Sequence, residues 1–124
     1  RLPLLGLIAA GEPIEALENP EMVDIPSSLL HPDNYVLQVK GNSMIDEQIH
    51  DKDYIVARKT NTARSGQIVV ALINGEATLK YYIHGPEGVE LHPRNPDFPI
   101  IKVDPKDDFH INGVLLYSFR NYLN

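Results

Sequence analysis

Cysteine is absent from all 124 residues. That excludes disulfides, thiolate zinc sites and cysteine nucleophiles, and it fits a reducing compartment. Tryptophan is also missing. No apolar run approaches the ~20 residues that span a bilayer, so no membrane segment is expected. Basic residues are few: Lys and Arg total 11 against 17 Asp and Glu, a net charge of −6. Direct binding of nucleic acid needs a basic face that displaces counterions, and the lysines and arginines here are scattered. Metal-ligand spacing is lacking too. His31, His50, His84, His92 and His110 share no His-x-x-x-His pattern, and Asp46, Glu47, Asp51 and Asp53 lack the order of a calcium loop. These four acids are read as caps and turns. No glycine-rich phosphate loop is present.

What the chain does contain reads as one mostly β domain of short, largely antiparallel strands in a compact, barrel-like sheet. Ten prolines and eight glycines punctuate it. The opening Leu2-Pro3-Leu4-Leu5-Gly6-Leu7-Ile8-Ala9-Ala10-Gly11 is apolar. It has the look of a truncated signal peptide, but Pro3 and Gly6 interrupt it and only Arg1 precedes it. Residues 12–30 are acidic and proline-broken, an extended excursion with at most a turn or two of helix. Strands are expected at 35–39, 54–57, 67–73, 76–83, 88–92, 100–103, 109–111 and 114–119. After the first of these, Ser43 opens a short helical turn, with Ile45 and Ile49 four apart and Asp46 and Glu47 where a helix start favours anions.

Asn74-Gly75 between two strand-like runs is the strongest short hairpin signal, because a type I′ turn needs positive φ at both positions. A two-residue loop makes Ile73 face Glu76, and Val69 then faces Lys80. Thr78 and Tyr82 share the face of Lys80. An ammonium in that apolar setting has its pKa lowered by desolvation, and the neutral amine is a competent general base. The other reading is a strand lysine on the solvent face. Ser43 beside Gly41 is the matching nucleophile, at a turn whose N–H groups could hold an oxyanion. Its other reading is an N-cap. A Ser-His-Asp triad has no local motif behind it.

Val39-Lys40-Gly41-Asn42-Ser43-Met44, Gly66-Gln67-Ile68-Val69-Val70-Ala71 and Glu76-Ala77-Thr78-Leu79-Lys80 resemble the C-terminal self-cleavage domain of LexA-type repressors. That family of Ser/Lys peptidases also includes UmuD and phage repressors. The likeness extends to Leu2-Pro3-Leu4-Leu5-Gly6, to Ala9-Ala10-Gly11-Glu12-Pro13 and to Pro93-Arg94-Asn95-Pro96, and so covers essentially the whole chain.

The resemblance implies that Ser43 is the nucleophile, Lys80 the general base and Ala10-Gly11 the bond cut. It implies oxyanion donors in the backbone N–H groups of Asn42 and Ser43, and no cofactor. Ile8 and Ala9 are expected to anchor the substrate loop, which residues 1–30 of the single 1–124 domain carry. It also implies a homodimer through Val114–Arg120, stimulation by a RecA–single-stranded DNA filament, and cytoplasmic residence. Operator DNA would be bound only through an N-terminal domain lying outside this chain, and cleavage would inactivate a repressor of the SOS response. Two alternatives stand beside this: a UmuD-like polymerase accessory protein, and a non-catalytic dimerisation module with the same fold. Ala10 before Gly11 favours the repressor, since UmuD sites more often carry cysteine there.

Overall fold

The computed structural model describes residues 2–9, 15–16 and 21–122. It is mostly strand, as expected, and its principal sheet curls into a half-barrel. The strands are β1 (Leu2–Ala9), β2 (Glu15–Ala16), β3 (Met22–Val23), β4 (Asn34–Lys40), β5 (Tyr54–Arg58) and β6 (Ile68–Ile73), then β7 (Glu76–Gly85), β8 (Gly88–His92), β9 (Ile101–Lys102) and β10 (Phe109–Phe119). Their order is β2-β1-β4-β5-β10-β6-β7-β8-β9, with β3 also paired to β1. Every pairing is antiparallel except β1 with β4. Single 3-10 turns occur at Ser27–Leu29 and Ile45–Glu47. Among the described residues no helix is long and apolar enough to cross a membrane.

The β6–β7 hairpin has the register its turn dictates, with Ile73 opposite Glu76 and Val69 opposite Lys80. Asn74 and Gly75 take φ of +52° and +83°, the left-handed pair a type I′ turn requires. The Asn74 side chain also bonds the turn ahead of β10, accepting from the Asp108 N–H at 2.9 Å and donating to Asp107 at 3.0 Å. This lays β10 alongside β6. Three consecutive residues of β6, Val69 to Ala71, are fully buried, as are Ile55 to Ala57 of β5. Both faces of the central sheet are therefore covered, which is why these strands read as continuous rather than alternating apolar runs. One core packs Ile8, Leu37, Met44, Ile49 and Leu79 together. A second gathers Val69, Tyr82, Leu91 and Ile111.

Three elements differ from the sequence reading. The opening apolar run is the strand β1, with Leu4 and Ile8 in the core, because its parallel neighbour β4 supplies the ladder that a local pattern cannot show. The segments 109–111 and 114–119 form one strand, jogged by register shifts at Ile111/Gly113 and Leu115/Tyr117. Gly113 sits at the first jog because a Cβ there would collide with the Tyr35 hydroxyl. The run at 100–103 pairs only over Ile101–Lys102.

Candidate functional site

The site begins with the burial of β7. Ala77, Thr78, Leu79 and Lys80 are buried in succession, and Lys80 is only 2% exposed. The solvent-face reading of this lysine is thereby excluded. Its Nζ lies 3.0 Å from Ser43 Oγ, 2.5 Å from Thr78 Oγ1 and 3.2 Å from the Leu79 carbonyl. Among the described residues no carboxylate pairs with it. Burial without a counter-charge disfavours the ammonium and lowers the pKa of Lys80 from 10.5 to about 8. At that value roughly a tenth of the amine is neutral at pH 7, against well under a thousandth for an ordinary lysine.

Ser43 stands on the turn that follows β4. Gly41, at φ +93°, lets the chain leave the strand. Its N–H donates to Asp51 Oδ1 at 2.8 Å, while the Asp51 N–H donates to Asn42 Oδ1 at 3.1 Å. Met44 and Ile49, each 2% exposed, pin the turn into the core. The helical turn is shorter than expected and starts later, at Ile45 with Met44 before it, and no side chain caps it. The N-cap role for Ser43 is therefore not realised, and its hydroxyl faces Lys80 instead. Among the described residues nothing accepts from the backbone N–H groups of Asn42, Ser43 and Met44.

Ile8 is 1% exposed, packed in the core that holds Met44 and Leu79. Ala9 is half-buried at the end of β1, opposite Lys40. Ala10 and Gly11 lie outside the described residues. No group of His, Asp or Glu among the described residues is arranged to hold a metal. Among the described residues, β10 pairs with β6 over 109–114 and with β5 over 114–119, so beyond Val114 it pairs with β5 alone. Leu116 and Tyr117 there are 38% and 44% exposed.

Two features escaped the sequence reading. Thr78 is recognisable as a same-face neighbour of Lys80, but its hydroxyl contact depends on a rotamer the sequence does not display. Arg94 and Asn95 bond the Asn42–Asp46 turn from across the fold. Only their place in the Pro93–Pro96 motif signals them.

The arrangement is a serine hydroxyl against a buried, partly neutral amine, with N–H groups beside the hydroxyl that no described residue engages. It is suited to nucleophilic attack on a carbonyl. The sequence is 46% identical over 124 residues to a LexA repressor of Syntrophotalea carbinolica, covering 98% of this chain and 61% of that protein. It is 47% identical over 126 residues to a LexA repressor of Pseudothermotoga lettingae, covering 98% and 62%. A LexA repressor of Syntrophobacter fumaroxidans is 42% identical over 122 residues, covering 98% and 59%. The chain thus spans about three fifths of the length of the curated relatives it matches. The profile of the peptidase family described as Peptidase S24-like matches residues 3–116, and with nearly the whole chain inside that match, the chain belongs to this family of peptidases.

Proposed function

We propose that this chain is the self-cleaving domain of a LexA-type repressor, a serine endopeptidase whose substrate is its own Ala10-Gly11 bond. One observation carries the reading: Ser43 Oγ lies 3.0 Å from Nζ of a lysine that is buried with no counter-charge among the described residues. The reaction follows from that pair. Neutral Lys80 takes the proton of the Ser43 hydroxyl as Oγ bonds to the Ala10 carbonyl carbon. The N–H groups of Asn42 and Ser43 hold the oxyanion. As the tetrahedral species collapses, the Lys80 ammonium returns the proton to the Gly11 nitrogen and the C–N bond breaks. Water then hydrolyses the Ala10 ester, with Lys80 again taking the proton.

The course of the chain supports the choice of bond. β1 runs parallel to β4, with Ala9 opposite Lys40, so the strand ending just before Ala10 travels beside the strand leading to Ser43. Leu7 opposite Glu15 brackets the segment that contains Ala10 and Gly11. Because substrate and nucleophile share one chain, the effective concentration is high and the reaction needs restraint. A largely protonated Lys80 at neutral pH supplies part of it.

In the same reading the domain dimerises through β10, whose residues 116–119 carry exposed Leu116 and Tyr117 along an edge that no described strand covers. A RecA–DNA filament acts as co-protease, cleavage relieves repression in the SOS response, operator DNA is bound by a separate N-terminal domain, and the protein is cytoplasmic. The relatives, named as repressors, favour this over a polymerase accessory role.

Incubation of the chain at about pH 10, where Lys80 with its pKa of about 8 is largely neutral, followed by mass measurement tests the chemistry. A fragment beginning at Gly11, absent from Ser43→Ala and Lys80→Ala, is the expected result. A folded chain that stays intact at every pH is instead a non-catalytic module.

A further inference from the structure

The segment after β8 grips the serine turn at two successive carbonyls. Asn95 Nδ2 donates to the Asn42 carbonyl at 2.8 Å, and the Arg94 N–H donates to the Ser43 carbonyl at 2.8 Å. In return the Asp46 N–H donates to the Arg94 carbonyl at 2.7 Å. The Asn95 amide is itself held, its Oδ1 accepting from the Asp97 N–H at 2.9 Å. The Arg94 guanidinium lies 3.9 Å from the centre of the Tyr81 ring, and its Nε is 3.4 Å from Glu47 Oε1. Tyr81 follows Lys80 on β7, and Glu47 belongs to the serine turn. One short segment therefore ties the strand of the lysine to the turn of the serine.

The peptide unit is planar and trans, so its C=O and N–H point in opposite directions. A donor that fixes the Asn42 carbonyl also fixes the direction of the Ser43 N–H, and it polarises that N–H toward stronger donation. We propose that Asn95 is a positioning residue for cleavage, aiming the Ser43 N–H at the oxyanion through its bond to the Asn42 carbonyl. This rests on the Ser43–Lys80 reading above and adds a residue to it. The Arg94 N–H does the same for the next peptide unit, but it belongs to the backbone and no side-chain substitution removes it.

The test measures self-cleavage of the 124-residue chain against pH for the unaltered protein, Asn95→Asp and Asn95→Ala. Asn95→Asp keeps an oxygen for the Asp97 N–H, loses the donor to Asn42 and adds a negative charge, whereas Asn95→Ala loses the donor without adding charge. Both variants are expected to lower the plateau rate about tenfold to a hundredfold, the range for a misaimed oxyanion donor, and Asn95→Ala leaves the midpoint of the pH profile unmoved. Wild-type rates in Asn95→Asp with loss only in Asn95→Ala mean that Asn95 merely shapes its own turn, and they overturn the proposal alone. Absence of cleavage in the unaltered chain overturns the Ser43–Lys80 reading and this one with it. Where a variant is too unstable for kinetics, the Ser43 amide resonance of a nitrogen-15-labelled Lys80→Ala chain is compared with and without Asn95→Asp at reduced temperature. A resonance that stays in place overturns the proposal.

Discussion

Thr78 Oγ1 lies 2.5 Å from Lys80 Nζ, two residues apart on the same face of β7, and both side chains are only 2% exposed. The threonine is one of three oxygen partners of the buried amine, beside Ser43 and the Leu79 carbonyl, and it holds Nζ where Ser43 also reaches it. Thr78→Val preserves shape and removes the acceptor. Its cleavage rate on the alkaline plateau is expected to fall about tenfold, because the amine loses its orientation. The midpoint does not rise, since the lost contact favoured the ammonium. Thr78→Ser, measured alongside, recovers most of the rate.

The pH dependence of cleavage follows the same amine. With Lys80 at about 8, the rate climbs through that pH and levels above it. An ordinary lysine would place the midpoint beyond ~10. Single-turnover rates across the alkaline range, read as loss of intact mass, distinguish the two. A flat profile would falsify lysine as the base.

Stability rises with pH as well, over the window between the folded and unfolded values. The folded pKa of Lys80 lies below its unfolded value of 10.5, so the unfolded chain binds more protons between the two and folding gains stability as pH rises through that window. At neutral pH the burial of Lys80 is a cost. Lys80→Met removes it, and the variant's stability relative to the parent declines by roughly 3 kcal/mol between neutral pH and about pH 11. Urea unfolding at the two pH values measures this difference directly.

Asp53 gives the acid-side counterpart. Burial pushes its carboxyl up, but hydrogen bonds from Arg120 and from the His50 N–H outweigh that and hold it below 3.8. The contacts are 2.6 and 3.0 Å from Arg120 and 2.8 Å from His50. The stability contributed is full above 3.8 and is lost as pH falls through the lowered value. Arg120→Met strands a buried carboxylate and is expected to cost about 2 kcal/mol, less than a fully enclosed pair because Arg120 is partly in water. Thermal melts between acid and neutral pH report both effects.

The edge of β10 that no described strand covers predicts an assembly. Leu116→Asp and Tyr117→Asp place charge on exposed positions, so folding is retained while self-association through that edge is lost. Sedimentation velocity on the parent and both variants shows the change, a dimer becoming a monomer. A parent that is already monomeric at every concentration removes the basis for this prediction.

Legibility followed the range of the interactions. Asn74-Gly75 encodes its own turn, and that turn carried the register far enough to set Val69 opposite Lys80 without any tertiary information. The strands at β4, β5 and β8 were likewise visible in local pattern. β1 was not, because a parallel strand owes its ladder to a partner some thirty residues away and its own prolines and glycines speak against it. The serine turn is legible as a turn, but its start is not, since the buried Met44 and Ile49 fix it more than Ser43 does. Asn95 bonds across 53 residues of sequence to a backbone oxygen, and a backbone partner leaves no mark in the residue types.

The parallel pairing of β1 with β4 bears on what a cut after Ala10 accomplishes. The severed piece would keep Leu4 and Ile8 in the core and stay in the sheet through its pairings with β4 and β3. It changes from a segment of chain into a ligand, held by contacts that no longer share a covalent tether. Its departure then becomes a dissociation with its own rate, slowed by each buried side chain and hastened by dilution. Breaking the bond and releasing what lay before it would be two separate events, and the packing of Leu4 and Ile8 would set the interval between them.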